Sequence, residues 1–127
     1  MAGKILFIED KPSDIELTVY ELRKRFTNEI CVCEDAESAL DWLTTNVPEL
    51  IILDIGLPRL DGRVFLSHVR EDSHTANVPV VVLTGYEGNR ESVLARGADM
   101  FLVKPLDVEV LFKRLIEMDT NWTLSRK

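Results

Sequence analysis

The sequence predicts an α/β fold, a three-layer sandwich of five βα units built on one parallel sheet. Two observations carry this reading. Five short apolar runs alternate along the chain with segments whose apolar residues recur at helical spacing. The runs are continuous rather than alternating, which is how strands buried on both faces read. Right-handed crossovers between such units put helices on both faces of the sheet. A fifth unit ending in a helix fits the doubly wound, flavodoxin-like strand order 2-1-3-4-5. The rival is a dinucleotide-binding domain. That fold needs G-x-G-x-x-G after its first strand, and here Glu9-Asp10 follows instead.

Each element has its own warrant. Ile5 to Ile8 is the first strand run. Pro12 suits the first turn of a helix, and Ile15, Val19, Leu22 and Phe26 form its buried stripe. Ile30 to Cys33 is the second run, and Asp35 is placed to cap a helix carrying Ala36, Ala39, Leu40 and Leu43 on one side. Leu50 to Leu53 is the third run, stopping at Asp54. A loop over 55–62 leads into a helical segment from about Arg63 to Glu71. Pro79 to Thr84 is the most β-branched run, broken by Gly85. A short helix from about Asn89 to Arg96 stops at Gly97, a left-handed cap. Met100 to Val103 is the fifth run, and the last helix carries Val108, Leu111, Leu115 and Met118.

Composition bounds the function. With 127 residues, 46% of them hydrophobic, the chain is one domain's worth of protein, read as a single unit over 1–127. The net charge of −7 disfavours unaided binding to nucleic acid or an anionic membrane. No window approaches the ~20 apolar residues of a membrane span, and the start of the chain lacks a signal-peptide pattern. The expectation is a soluble, cytoplasmic protein. Cys31 and Cys33 read as strand fillers, too few for a disulfide framework or a zinc site. His68 and His74 read as solvated, and Trp42 as a cover on the edge of the core. Trp122 reads as an anchor at the end of the last helix.

The chemistry sits at the carboxyl ends of the strands. The first run ends in Glu9-Asp10, the third in Asp54, the fourth in Thr84 and the fifth in Lys104. In an open α/β sheet the binding crevice lies outside those ends, and in the order above strands one and three are neighbours. Three carboxylates would share one crevice. Like charges about 4 Å apart repel by ~4 kcal/mol at an effective dielectric near 20. Either one takes a proton or a cation enters. Oxygen ligands of this kind suit Mg²⁺. A divalent metal, a lysine across a gap and a hydroxyl, set around a nucleophilic carboxylate, can cradle a phosphoryl group.

At these residues the sequence resembles the receiver domain of two-component response regulators. The matching residues are Glu9-Asp10, Asp54, the loop Leu57-Pro58-x-x-Asp61-Gly62, Thr84-Gly85, Gly97-Ala98-Asp99 and Lys104-Pro105. The resemblance runs from Lys4 to about Met118. It implies that Asp54 is the phosphoacceptor. It implies Mg²⁺, with Mn²⁺ able to substitute, on Asp10 and Asp54, with Glu9 acting mostly through bound water and the Gly56 carbonyl completing the protein ligands. Gly56 stands where larger side chains are frequent in the family, which bears on how long the phosphoryl group lasts. Lys104 would pair with phosphoryl oxygens, Thr84 would move toward them, and Phe101 would turn inward. Pro105 would follow a cis peptide bond.

The same resemblance implies a switch rather than a turnover enzyme, catalysing only its own phosphorylation and dephosphorylation. Phosphorylation adds ~1.5 to 2 negative charges and three acceptors. These would draw in Thr84 and Lys104 and remodel the surface of the fourth helix, fifth strand and fifth helix. The partners implied are a sensor histidine kinase or histidine phosphotransferase and a separate downstream effector, since no output domain is read in the chain. Pairing of two copies through that same surface is left open. The segment from Leu111 to Trp122 resembles the end of stand-alone receivers that partner bacterial phytochromes.

Blander assignments compete at each residue. Read alone, Asp10 is a helix cap, Asp54 a turn residue, Thr84 a strand residue, Phe101 core packing and Lys104-Pro105 a turn. Their joint placement at strand ends on one edge favours the site. Two other functions compete. A phosphatase of the haloacid-dehalogenase type also uses a strand-end Asp, but wants a second Asp where Gly56 stands. A degenerate receiver would bind partners without phosphorylation, and the intact charged set argues against it.

Overall fold

A computed structural model describes residues 3–54, 62–85 and 90–118. Its elements run β1 (Ile5–Ile8), α1 (Pro12–Arg23), β2 (Ile30–Cys33), α2 (Ala36–Leu43), β3 (Leu50–Leu53), α3 (Gly62–Glu71), β4 (Val80–Thr84), α4 (Arg90–Ala95), β5 (Met100–Val103) and α5 (Val108–Glu117). All pairings are parallel and the strand order is β2-β1-β3-β4-β5. This is the doubly wound arrangement that the alternation of runs and stripes predicts. The loop over 55–61, which holds Gly56, Leu57, Pro58 and Asp61, lies outside the described residues, as do Asn89 and Trp122.

The sheet divides the core in two, because successive side chains of a strand point to opposite faces. Ile5 and Phe7 of β1 face Leu22 of α1 and Leu111 and Leu115 of α5, with Phe26 just beyond α1. Leu6 and Ile8 face Ala36 and Ala39 of α2, Phe65 and Leu66 of α3, and Val93 of α4. Strands β1, β3 and β4 are buried along their whole length. Strand β2 is not: its residues are half-buried, with Val32 exposed. It pairs on one side only, so a continuous apolar run here marks an edge. Helix α1 ends at Arg23, three residues before Phe26, yet Phe26 still completes the stripe by packing in the same core.

Local signals act where the sequence places them. Asp35 caps α2 by accepting the Ser38 amide at 2.7 Å. Asp107, not singled out by the sequence reading, caps α5 through the Glu109 amide. Gly97 has φ of +109°, and a Cβ there would lie 2.9 Å from Arg70 Cγ, so two independent constraints demand glycine. His68 and His74 are exposed and Trp42 packs partly buried on the α2–α4 side of the core.

Arg70 ties the far side of this layer together. Its guanidinium donates to the carbonyls of Gly97 (2.8 Å), Ala76 (3.1 Å) and Val78 (2.6 Å) and to Asp99 Oδ2 (2.6 Å). The same Asp99 oxygen accepts the Val80 amide that opens β4. One side chain thus joins the end of α3, the start of β4 and the end of α4. Arg70→Met removes all four bonds while keeping the aliphatic stem, and should cost about 2 kcal/mol, since charged hydrogen bonds are each worth ~1.5–3 kcal/mol but these acceptors are partly solvated. A urea midpoint unchanged by this substitution would contradict the assignment.

Candidate functional site

Backbone pairing brings the chemical residues to one edge. The register aligns Ile8 with Leu53 and Leu53 with Val82. Beyond those pairs the ladder continues into the site: the Glu9 amide donates to Cys33 O and the Asp54 amide to Ile8 O. The Lys104 amide donates to Thr84 O at 2.7 Å. Strand length therefore sets where Glu9, Asp10, Asp54, Thr84 and Lys104 emerge. An apolar run stops where its next side chain enters the crevice.

The Lys104 ammonium is the hub. Nζ donates to Glu9 Oε1 at 2.5 Å, to Asp14 Oδ2 at 2.8 Å and to Asp54 Oδ2 at 3.3 Å. Glu9 is fully buried, and the Lys104 and Asp54 side chains are 15% and 7% exposed. The other Glu9 oxygen, Oε2, accepts the Asp10 amide at 3.1 Å. Burial pushes the Glu9 carboxyl above its ordinary range, Lys104 pulls it back, and Asp54 pushes it up again. Burial would lower the Lys104 ammonium, but its bonds to Asp14 and Glu9 and the field of Asp54 outweigh that and raise it. Lys104 is charged throughout the physiological range.

A cluster of carboxylates accompanies this hub. Glu9, Asp10 and Asp54 each offer a carboxylate oxygen within 4.8 Å of the others. Asp10 Oδ1 is buried and has no hydrogen-bond partner among the described residues. Such an atom pays its desolvation without compensation unless something binds it. Nor is Asp10 the cap of α1: Lys11 holds that position, and no side chain makes the capping bond. Three oxygen donors with an unsatisfied, buried member fit a hard divalent cation.

The remaining predicted residues fall as follows. Thr84 ends β4 and is buried. Phe101 is already buried in the core on the α2–α4 side, with the Arg90 guanidinium 5.9 Å from its ring centroid. The Lys104–Pro105 peptide is cis. Gly56 lies outside the described residues. One expectation is corrected: the ammonium does not face the carboxylates across a gap but touches them directly. Converging negative groups attract the nearest cation, and Lys104 has the reach to meet them. Asp14 was missed by the sequence reading. The available signal was its place four residues after Asp10, in the first turn of the helix opened by Pro12.

Comparison with known proteins agrees with this geometry. Residues 5–116 match the family model described as response regulator receiver domain. The chain is 35% identical over 117 residues to the phosphate regulon transcriptional regulatory protein PhoB of Escherichia coli, covering 91% of this chain and 51% of that protein. It is 30% identical over 117 residues to response regulator PleD of Caulobacter vibrioides, covering 91% of this chain. The chain thus spans only 26% of PleD and about half of PhoB. Among solved structures, the bacteriophytochrome response regulator AtBRR superposes with a TM-score of 0.85 at 32% identity, covering 96% of both chains.

The hub makes a pH-dependent prediction. In Lys104→Met, Glu9 loses its bonded cation, so its folded pKa, already above the ordinary 4.5, rises further. A carboxyl whose folded pKa is raised stabilises the fold below its unfolded value and loses that contribution as pH rises through the folded value. The parent loses the same contribution up to its own raised Glu9 value, so the stability deficit of Lys104→Met should widen only as pH rises above that parental value, reaching ~2–3 kcal/mol at neutral pH. Denaturation at several pH values without added metal measures it, and a deficit that shrank as pH rose would refute the role given to Glu9.

Proposed function

Because the chain belongs to the response regulator receiver domain family, we propose that Asp54 takes a phosphoryl group from a phosphohistidine in the presence of Mg²⁺. The observation that carries this is the meeting of Glu9, Asp10 and Asp54 beside Lys104, with Asp10 Oδ1 buried and unpartnered among the described residues. An Asp54 oxygen attacks phosphorus, the P–N bond to the donor imidazole breaks, and the nitrogen keeps the electron pair. The product is an acyl phosphate. Hydrolysis later returns the carboxylate and inorganic phosphate. Glu9, Asp10 and Asp54 would hold the metal, with the Gly56 carbonyl added on sequence grounds. When bound, the ion neutralises charge on the phosphoryl oxygens, and Mn²⁺ offers the same donors an alternative.

The chain's own residues do the rest. Lys104 offers three N–H donors to the phosphoryl oxygens, exchanging carboxylate acceptors for phosphoryl ones. Thr84, joined to Lys104 through the backbone, supplies a hydroxyl at the end of β4. Movement there passes to the surface of α4, β5 and α5, where Leu94, Val103 and Val110 are exposed apolar side chains. That surface would signal to a separate effector or pair with a second copy. Phe101, being buried at rest, would act by repacking inside the core rather than by entering it.

The donor in this reading is a sensor histidine kinase or a histidine phosphotransferase. Similarity to AtBRR along nearly the full length of both chains supports a kinase of the bacteriophytochrome kind. The compartment would be the cytoplasm. Among the described residues no helix is long and apolar enough to cross a membrane, and the charge of −7 disfavours direct contact with nucleic acid. Receivers act on their own aspartate, which sets this chain apart from phosphatases with a second acid. Position 56 is glycine, which has no proton to give.

Labelling tests the acceptor. With acetyl phosphate or a phosphorylated histidine kinase and Mg²⁺, the parent protein should gain one acid-stable, alkali-labile phosphoryl group, and Asp54→Asn none. Label persisting on Asp54→Asn would remove Asp54 from its role. Metal binding tests the cluster. Asp10→Asn should weaken Mg²⁺ binding by about tenfold or more, as loss of a charged ligand does. Parent affinity should rise with pH through the raised Glu9 value, because a proton on Glu9 competes with the cation. Isothermal titration at pH 5 and pH 8 reads both effects, and pH-independent affinity would exclude Glu9 from the metal site.

A further inference from the structure

We propose, on the basis of the phosphoacceptor reading, that Asp14 is a positioning residue that restrains Lys104 and lowers the resting site's affinity for phosphoryl groups. An ammonium has three protons. In this structure all three have carboxylate acceptors: Glu9 at 2.5 Å, Asp14 at 2.8 Å and Asp54 at 3.3 Å. A phosphoryl group on Asp54 needs at least one of them. Glu9 is fully buried, held also by the Asp10 amide, and has little room to release the cation. Asp14 is different in kind. It comes from the first turn of α1 rather than from a strand end, it is not one of the three clustered carboxylates, and its side chain is 27% exposed.

Two physical effects of Asp14 have the same sign. Its hydrogen bond must lengthen or break for Lys104 to turn fully to phosphoryl oxygens. Its charge also opposes the arriving anion. Four carboxylates, those of Glu9, Asp10, Asp14 and Asp54, surround one ammonium, so the formal charge is three negatives, and a divalent cation leaves one. Without Asp14 that remainder is zero. Asp14 also opens onto a groove of about 780 Å³ between α1 and residues 104–109, lined by Leu17, Tyr20 and Lys104. Water in that groove can solvate Asp14 once Lys104 leaves it. The restraint is therefore reversible at low cost, whereas breaking the Glu9 contact would strand a fully buried carboxylate.

Beryllofluoride with Mg²⁺ serves as the phosphoryl probe, followed through the amides of Thr84 and Phe101, alongside initial rates of labelling by acetyl phosphate. Asp14→Asn and Asp14→Ser should each bind beryllofluoride about fivefold more tightly than the parent and label faster, the size expected of one partly exposed charge-assisted bond. Asp14→Glu should restore parental behaviour within about twofold, because it returns the charge to the same ammonium. In a Lys104→Met background, Asp14→Asn should give a clearly smaller gain, since the hydrogen-bond restraint on Lys104 is gone and only the charge effect remains. Unchanged or weaker binding in Asp14→Asn and Asp14→Ser overturns the proposal. So does an equal gain in the Lys104→Met background. Failure of the parent itself to bind beryllofluoride would instead refute the phosphoacceptor reading from which this one starts.

Discussion

The site depends on one ammonium holding three carboxylates that would otherwise repel each other. Lys104 stands between Glu9 after β1, Asp14 in α1 and Asp54 after β3. Each of these carboxylates costs solvation energy to bring together, and the shared cation offsets part of it. The sheet supplies the geometry. Parallel pairing puts Glu9 and Asp54 at the same level, and the Lys104 amide is fixed to Thr84 across β4 and β5. The cluster therefore stores charge in a form that an incoming group can redistribute.

Such an arrangement suits a switch better than a turnover site. A turnover enzyme needs groups that return to one state after each cycle. Here the same ammonium has two competing sets of acceptors, the resident carboxylates and the oxygens of a phosphoryl group. In the proposed reading, choosing between them would move the ends of β4 and β5 together, because Lys104 and Thr84 share a backbone bond. Both faces of the sheet are tightly filled, so a displacement at the strand ends is passed to packed neighbours rather than absorbed. The Arg70 network ties the opposite end of β4 to α3 and Asp99, so that such motion would be confined to the end carrying the site.

Much of the fold was legible because its signals are local. The runs at Ile5–Ile8, Ile30–Cys33, Leu50–Leu53 and Met100–Val103 became strands with the same bounds. Asp35 and Gly97 mark helix ends by chemistry contained within a few residues. Strand β2 shows where that logic weakens. Its composition matches the central strands, yet only one side has a partner, and partner number is a property of the sheet. Likewise Phe26 keeps helical spacing with Leu22 although α1 ends before it. Spacing records which residues share a core, and that core outlasts the helix.

The order of elements, the strand order they imply and the acidic, basic and hydroxyl residues at the strand ends are legible along the chain, because each follows from periodicity or from where an apolar run stops. Which side chains touch emerged from the folded arrangement alone. It joined Lys104 directly to Glu9 and Asp54, recruited Asp14 from a helix, and left Asp10 Oδ1 buried without a partner among the described residues. Those contacts cross 95, 90 and 50 positions of chain. A long, flexible side chain settles them by minimising charge repulsion in three dimensions, and no local pattern along the sequence records that outcome.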